Sequence, residues 1–325
     1  MREKILSLLA QNNGSFVSGE TISKALGVTR AAVWKHMQAL QNEGLLIEAL
    51  PRKGYRLLAE KNQAPRSALL EPLLRTKWLG REANFVKEID STNLAAKRLA
   101  SQGCANGAIF VAEEQTIGRG RRGRPWVNAP GEDICLSVVI RPSIQTQFAP
   151  RYTLAASLGI HRLASAFGCN PTIKWPNDVL INNKKLCGIL LEMEGSIESL
   201  EWIVAGFGIN INNTSFDDKI ASTATSLALE TGAMLDRTQT LAKLLNLLEP
   251  LFESCEDEAQ FSGLLTQYRQ NCGTLGQQVT VTGLNTSLSG LALDVDETGR
   301  LIIQTADGKT HAVSAGDVTL RKPEK

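Results

Sequence analysis

The chain has 325 residues and a mass of 35.3 kDa, the length of about two domains. Hydrophobic residues make up 43% of it and charged residues 21%, which is typical of a folded globular protein and excludes a disordered, collagen-like or coiled-coil chain. No apolar stretch approaches the roughly 18 residues that a membrane-spanning helix needs, and the charges at Arg2, Glu3 and Lys4 are unlike a signal peptide. We therefore expect a cytoplasmic protein.

Cysteine and histidine usage limits the possible chemistry. The six cysteines are far apart, with no CxxC pair and no His/Cys cluster with zinc-ligand spacing. The three histidines stand alone, which disfavours a Ser-His-Asp triad or a histidine metal site. We expect buried thiols, and a reaction that uses other groups.

The N-terminal segment carries the positive charge of the chain. Residues 1–65 hold nine Lys and Arg against five Asp and Glu, and the remainder holds 26 against 28. Apolar residues recur there at helical spacing in three blocks, which predicts three short helices. Gly27 provides a tight turn before the third block, and Thr29 is suited to cap the helix that follows. This pattern indicates a helix-turn-helix.

The third helix is expected to bury Val33, Met37 and Leu40 and to turn its other face toward a DNA groove. Two short apolar stretches after it flank a basic turn, which is typical of a winged helix-turn-helix. Trp34 is bulky where a small polar base-reading residue is expected, and it could contact the sugar-phosphate backbone or be partly buried. A helical cap or protein–protein module is the alternative. The predicted DNA-binding residues are Gly19, Thr29, Arg30, Ala31, Trp34, Lys35, Gln38, Arg52 and Lys53.

An arginine loop, defined here as residues 118–126, is the most unusual stretch. It places four arginines and three glycines within seven residues and matches GxGxxG. That fingerprint must open a helix to bind a dinucleotide, and Pro125 and the turn residues after it prevent one. The chain also lacks a Walker A motif. Glycines allow close backbone approach and guanidinium groups donate in pairs, so the loop suits a carboxylate or phosphate ligand. A basic nucleic-acid patch and a solvated surface loop are the alternatives.

Three further segments combine strand or cap signals with polar residues. Residues 90–93 (DSTN) are predicted to cap a helix over Leu94 to Ala100. Residues 174–178 (KWPND) end a strand in a polar turn, and a basic pair then leads into the strand of residues 186–192. Residues 206–210 (GFGIN) form a strand whose glycines leave space for a ligand. Each segment taken alone is more often structural than functional.

Together, in this order and spacing, the motifs STN, EEQTIGRGRRGRPW, KWPNDVLINNKKLCGILLE and GFGIN resemble those of bacterial biotin protein ligases. With the N-terminal helix-turn-helix, the chain resembles the bifunctional members that also repress the biotin operon. The resemblance implies an α+β multidomain protein: a winged helix-turn-helix over 1–62, a catalytic domain over 66–272 with a mixed sheet and helices on one face, and an SH3-like barrel over 273–325. Alternating apolar residues such as Val279/Val281 and Leu291/Leu293/Val295 agree with a β-rich tail.

The resemblance also implies a two-step reaction and its partners. Biotin and ATP, with Mg²⁺, would give biotinyl-5′-AMP and pyrophosphate, and a lysine of the biotin carboxyl carrier protein of acetyl-CoA carboxylase would then attack the adenylate. Members of this kind form a homodimer when loaded with biotinyl-5′-AMP and bind the operator DNA of the biotin biosynthesis operon.

Motif matching carries the site residues over one by one. The residues expected to bind biotin are Ser91, Thr92, Asn93, Gln115, Arg119, Gly120, Arg121 and Lys185. The residues expected near ATP are Arg124, Trp126, Asn177, Asn210 and Arg321. Arg121 and Lys185 are the expected catalytic cations, and Asp178 is expected to hold Mg²⁺ or orient the attacking lysine. No side-chain cluster predicts a resident metal.

Three alternatives stay open at this stage. The chain could be a transcription factor that senses a small molecule without catalysis, although Arg121, Lys185 and the whole arginine loop argue against that. It could be a lipoate ligase, since those enzymes share the catalytic fold. It could also be a biotin ligase whose N-terminal domain no longer represses transcription.

Overall fold

The computed structural model of the protein describes residues 1–12, 14–42, 45–58, 64–283, 287–314 and 316–320. The N-terminal part has three helices and a hairpin, namely α1 (Arg2–Gln11), α2 (Gly19–Leu26), α3 (Arg30–Asn42), β1 (Ile47–Leu50) and β2 (Gly54–Leu57). Gly27 ends α2 in the left-handed conformation, and Thr29 Oγ1 accepts from the backbone N of Ala32 at the start of α3. The predicted winged helix-turn-helix is confirmed.

One short helix, α4 (Ser67–Leu70), connects the N-terminal part to the centre of the molecule. Ala68 packs in the N-terminal core with Ile5 and Met37, whereas Leu70 belongs to the main core. The backbone N of Ala68 also donates to Glu3 Oε2 over 3.3 Å. Both cores therefore share this single turn of helix.

A seven-stranded mixed sheet forms the centre of the protein. Its strands are β3 (Ala83–Ile89), β4 (Ile109–Gln115), β5 (Asp133–Ile140), β6 (Pro171–Lys174), β7 (Asp178–Ile181), β8 (Lys184–Gly195) and β9 (Leu200–Asn210). Their spatial order is β3-β4-β5-β9-β8-β7-β6, and β3 with β4 is the parallel pair in an otherwise antiparallel sheet. The mixed sheet is as predicted.

Helices cover this sheet unequally. They are α5 (Thr92–Ser101), α6 (Pro150–Ser165), α7 (Leu227–Thr231), α8 (Arg237–Glu253) and α9 (Glu258–Asn271). The three longest, α6, α8 and α9, pack into the main core on one face, as predicted for the domain. The shorter α5 packs on the opposite face, where Ala96 and Ala100 meet Val139 and Trp202. Successive strand residues point to opposite faces, so Val138 packs in the main core and Val139 packs in the smaller core beneath α5.

The start of α5 differs from the prediction. The helix begins at Thr92, two residues before the expected Leu94, with Ser91 in the N-cap position. The Ser91 side chain makes no cap hydrogen bond. Gln115 Oε1, at the end of β4, instead accepts from the backbone N of Thr92 over 2.8 Å. A side chain distant in sequence therefore takes the capping role that the local pattern gave to residues 90–93.

The C-terminal part is an antiparallel sheet of β10 (Gln278–Thr282), β11 (Ser287–Val295), β12 (Leu301–Gln304), β13 (Thr310–Val313) and β14 (Asp317–Leu320), in the order β13-β12-β11-β10-β14. The β-rich tail is confirmed, but the alternation expected in β11 is wrong. A bulge between Ala292 and Asp294 shifts the register, so Ala292 and Val295 are buried and Leu293 is exposed.

The cysteines and the hydropathy of the helices bear on two expectations drawn from composition. All six cysteines are free thiols, and four of them are buried, at positions 135, 187, 255 and 272. Within the described ranges, no helix has the length and hydropathy required to cross a bilayer.

Candidate active site

A cavity of about 780 Å³ opens on the α5 face of the central sheet. Its volume lies in the range of sites that enclose small organic ligands. Every predicted ligand-site residue that the structure describes lines it, and Arg321 lies outside the described residues. The residues brought together are Ser91, Thr92, Asn93, Gln115, Arg119, Gly120, Arg121, Arg124, Trp126, Asn177, Asp178, Lys185 and Asn210.

One side of the cavity is a polar wall, defined here by Thr92, Asn93 and Gln115 with Ser137, Glu192 and Lys97 behind them. Gln115 Oε1 lies 2.8 Å from the backbone N and 3.0 Å from Oγ1 of Thr92. The end of β4 is itself fixed, because the Asn128 side chain accepts from the backbone N of Gln115 and donates to the carbonyl of Glu113.

Behind these residues lies a buried hydroxyl that sequence analysis missed. Ser137 Oγ lies 2.8 Å from Thr92 Oγ1 and 2.6 Å from Asn93 Oδ1, and its side chain is inaccessible to solvent. Asn93 Nδ2 donates to Glu192 Oε2 over 2.8 Å, and Glu192 Oε1 pairs with Lys97 Nζ at 2.8 Å. Both ends of the Asn93 amide therefore have protein partners, which favours a positioning role over direct ligand binding.

Glycines in the floor of the cavity make room for protein side chains. A Cβ built at Gly206 would overlap the Asn93 amide, and one built at Gly208 would overlap the Trp126 ring. Trp126 Nε1 is buried without a hydrogen-bond partner among the residues that the structure describes. Lys185 Nζ lies 5.6 Å from the centroid of the same ring, within the range of a cation–π contact.

Polar groups from β7, β8 and β9 meet at the other end of the cavity. Lys185 Nζ pairs with Asp178 Oδ1 at 2.8 Å, at the starts of two neighbouring strands. Asn210 Nδ2 donates to the carbonyls of Lys185 and Thr225, so it holds the backbone beside the lysine. The ion pair places one carboxylate and one ammonium group on the cavity surface.

The arginine loop folds back on itself above these residues. The backbone N of Gly120 donates to the Arg124 carbonyl over 2.7 Å, and Arg122 takes a left-handed φ of 57° in the turn between them. Arg121 Nη1 donates to Asn177 Oδ1 at 3.1 Å, and burial lowers the pKa of its guanidinium. Arg119 is exposed and has no hydrogen bond or ion pair with the described part of the chain.

The same loop also contacts the C-terminal sheet. Arg122 Nη2 donates to the Thr282 carbonyl over 2.6 Å, and both Arg122 and Arg124 pair with Asp317. Arg121 Nη1 lies 3.3 Å from the Gly316 carbonyl. These contacts fasten the cationic edge of the cavity to a second domain.

A buried carboxyl group beneath the Asn210 end also escaped prediction. Asp133 is opposite Asn210 in the β5–β9 register, and its side chain is 3% exposed. Burial raises its pKa to about 7, although the backbone N of Ala129 donates to its Oδ2 at 2.7 Å. Close by, the buried Arg237 makes a two-pronged ion pair with Glu113.

The predicted DNA-binding face is largely exposed. Val33, Met37 and Leu40 are buried, and Arg30, Ala31, Trp34, Lys35 and Gln38 point outward. Trp34 is 55% exposed, which removes the expectation that it could be partly buried. Arg30 pairs with Glu20 at 2.5 Å, and Lys53 lies over the Phe16 ring. Thr29 and Arg52 are exposed, whereas Gly19 is half-buried.

Family models match all three parts of the chain. They are an HTH domain over residues 1–56, the biotin/lipoate A/B protein ligase family over 85–210, and the biotin protein ligase C-terminal domain over 274–321. The bifunctional ligase/repressor BirA of Bacillus spizizenii is 34% identical over 97% of both chains. This chain belongs to the bifunctional biotin protein ligases. The BirA protein of Escherichia coli is 29% identical, covering 99% of this ligase and 98% of its own length.

Solved structures agree with this assignment for the central and C-terminal parts. The biotin protein ligase from Aquifex aeolicus, in complex with biotin and ATP, superposes with a TM-score of 0.62 at 26% identity. The superposition covers 74% of this ligase and 99% of that chain.

Proposed function

We propose that this ligase activates biotin with ATP to biotinyl-5′-AMP and transfers the biotinyl group to a lysine of biotin carboxyl carrier protein. The observation that carries the proposal is the cavity itself, which joins a wall of neutral hydrogen-bonding groups to a cationic edge. A urea ring needs donors and acceptors, and a reacting carboxylate and phosphate need positive charge. Thr92 and Gln115 supply the first set; Arg121 and Lys185 supply the second.

In the first step, a biotin carboxylate oxygen forms a bond to the α-phosphorus of ATP, and the bond from that phosphorus to pyrophosphate breaks. Both reactants are anions, so holding them together accounts for most of the required catalysis. Arg121 would hold the carboxylate and phosphate with forked donors, and Lys185 would neutralise the developing charge. Trp126 and Asn210 would accept the adenosine side of the ligand, together with Arg124, Asn177 and Arg321.

In the second step, the carrier lysine attacks the acyl carbon and AMP leaves. The attacking amine would release its proton to solvent while AMP leaves with the electrons of the broken carbon–oxygen bond. The Asp178 carboxylate on the cavity surface would orient the amine. Ser91, Arg119 and Gly120 would keep the biotinyl group in place from the side of α5 and the arginine loop.

Mg²⁺ would be shared with the nucleotide. No cluster of three His, Cys, Asp or Glu side chains that could hold a metal occurs within the described ranges. Mg²⁺ commonly takes one or two carboxylates and completes its shell with phosphate oxygens and water, so Asp178 would supply one carboxylate to such a site. The ion would neutralise the charge of the phosphate groups.

The proposal includes repression of the biotin biosynthesis operon by a homodimer loaded with biotinyl-5′-AMP. The exposed face of α3 and the basic turn at Arg52 and Lys53 support binding to operator DNA. Footprinting on the organism's own biotin operon should show protection only when the adenylate is present. Gel filtration should show a larger species with the adenylate than without it, and identical elution volumes would contradict the dimer.

Biotin-dependent exchange between ATP and pyrophosphate tests the ligase activity. The purified protein with Mg²⁺ should catalyse exchange with biotin, and not with lipoate or octanoate. Exchange with lipoate would move the protein to the lipoate ligases. Exchange with none of the acids would support a sensor without catalysis.

A further inference from the structure

We propose that Glu192 and Ser137, neither of which lines the cavity, set the hydrogen-bond polarity of the polar wall so that the Thr92–Gln115 edge takes a ligand N–H group. The inference rests on the proposed function, because it concerns how the ureido ring of biotin is recognised. Both would be positioning residues, which act through the side chains between them and the ligand.

The chain of constraints begins at Glu192. A carboxylate only accepts hydrogen bonds, and its two oxygens accept from Lys97 Nζ and from Asn93 Nδ2, each at 2.8 Å. The nitrogen end of the Asn93 amide must therefore face Glu192, and it also donates over a longer 3.3 Å to the Leu190 carbonyl. Its oxygen end then faces Ser137.

Ser137 and Thr92 transmit this orientation. Ser137 Oγ lies 2.6 Å from Asn93 Oδ1, an oxygen with no proton, so the serine must donate. Its own proton is then used, so the 2.8 Å contact of its oxygen with Thr92 Oγ1 has a proton only where the threonine supplies it. Thr92 Oγ1 is 3.0 Å from Gln115 Oε1 as well, and this oxygen is held in place by the backbone N of Thr92.

The contacts Asn93–Ser137, Ser137–Thr92 and Thr92–Gln115 thus share only two hydroxyl protons, one from Ser137 and one from Thr92. One of the two contacts of Thr92 Oγ1, to Ser137 Oγ or to Gln115 Oε1, is therefore left without a proton. The Thr92–Gln115 edge, which lines the cavity, thus offers a ligand oxygen acceptors and no spare hydroxyl proton. A ligand N–H at this edge satisfies two acceptors, whereas a ring oxygen would add a third acceptor to them. The wall should therefore prefer a cyclic urea to the cyclic carbamate of the same shape.

Glu192→Gln tests the direction of the chain with little change of shape. The new amide can donate to Asn93 Oδ1, so the Asn93 amide can turn over and donate to Ser137, at the cost of its long bond to the Leu190 carbonyl. Ser137 can then donate to Thr92, and Thr92 to Gln115, so every contact has its proton without a ligand. Ser137→Ala has the same consequence by a different route, since it frees the Thr92 hydroxyl to donate to Gln115.

The experiment is calorimetric titration, without ATP, of biotin and of its two cyclic carbamate analogues, each with a ring oxygen in place of one ureido N–H. Wild type should prefer biotin to one of the analogues by roughly tenfold or more. The matched control Lys97→Met removes the ion pair but keeps the accepting carboxylate, so it should retain that ratio. Glu192→Gln and Ser137→Ala should both lose most of it, chiefly because biotin binds more weakly.

An unchanged ratio of dissociation constants in folded Glu192→Gln and Ser137→Ala would overturn the proposal. Equal weakening of biotin and both analogues would also overturn it, because that result indicates a purely structural role. Failure of the wild type to bind biotin at all would instead overturn the proposed function, and with it this inference.

Discussion

The polar wall and the arginine loop face the same cavity but are held in different ways. The wall is built from side chains on α5, β4, β5 and β8 that bond to one another, and Ser137 and Thr92 within it are buried. The loop is held by ion pairs of Arg122 and Arg124 to Asp317 and by hydrogen bonds from Arg121 to Asn177 and from Arg122 to the Thr282 carbonyl. The Arg124 side chain is 68% exposed. Exposed ion pairs contribute little free energy, whereas orphaned buried groups are costly. The polar wall is therefore the rigid part that would select the ligand, and the arginine loop is the more loosely held part that would close over it.

Gly206→Ala should weaken biotin binding most among these variants, because it disrupts the polar wall. The new Cβ would overlap the Asn93 amide and break its bonds to Ser137 and Glu192. Overpacking and orphaned polar groups together should raise the dissociation constant for biotin roughly a hundredfold. Calorimetric titration with biotin alone measures this.

Two other glycines sharpen that test. Gly208→Ala would overlap Trp126, which is only half-buried and can move, so biotin binding should fall far less than with Gly206→Ala. Gly263→Ala on α9 is the neutral control, since its Cβ meets nothing within 4 Å. Equal losses with the substitutions at 206 and 208 would refute the contrast between the two sides.

Arg121→Gly probes the loop side. It removes a charge-assisted contact worth about 1.5 to 3 kcal/mol, so biotinyl-5′-AMP should dissociate roughly ten to a hundred times faster. Biotin binding without ATP should weaken less than with Gly206→Ala, because only the contact to the carboxylate is lost and the polar wall is untouched. Stopped-flow release of the adenylate measures the rate. Arg122→Gly is the control, because it removes the same charge from a loop residue that does not line the cavity. An unchanged rate would show that Arg121 does not hold the intermediate.

Asp133→Asn should have the smallest effect of these variants, a change in thermal stability that depends on pH. The native carboxyl keeps its proton up to a pKa of about 7, whereas an unperturbed Asp releases it near 3.8. The folded state therefore binds more protons between these values, and its stability falls as pH rises through that window. The variant lacks this loss, so its Tm should exceed that of wild type by several degrees at pH 8 and by less at pH 5. A difference in Tm that does not vary with pH would contradict the pKa shift.

Local patterns predicted the parts of this fold that depend on neighbours in sequence. The turn at Gly27, the cap at Thr29 and the outward face of α3 all follow from spacing within a few residues. The arginine loop was recognisable because Pro125 rules out a helix after its glycines. Motif resemblance then indicated which residues line the cavity, and all of those that the structure describes do so.

The misses involve partners far apart in the chain. Ser137 lies in an apolar strand, and nothing near it in sequence shows that its hydroxyl meets residues 44 and 45 positions earlier. Gln115 caps α5 from a neighbouring strand, so the local cap signal at residues 90–93 placed the helix start wrongly. Asp133 begins β5, and no residue near it in sequence shows that the fold buries its carboxyl group. Such contacts depend on strand order, which no local pattern contains.

The shared turn α4 has a mechanical consequence for DNA recognition. Ala68 is anchored in one core and Leu70, two residues later, in the other, so within α4 the N-terminal part and the catalytic part are joined through packed residues. The angle between them cannot open without pulling Ala68 or Leu70 out of its packing. In the proposed dimer, the distance between the two α3 helices would thus be set by the contact between protomers. Rotation of the N-terminal part within each protomer would not set it. The distance between the two half-sites of the operator would then depend on how the catalytic parts of the two protomers pack against each other.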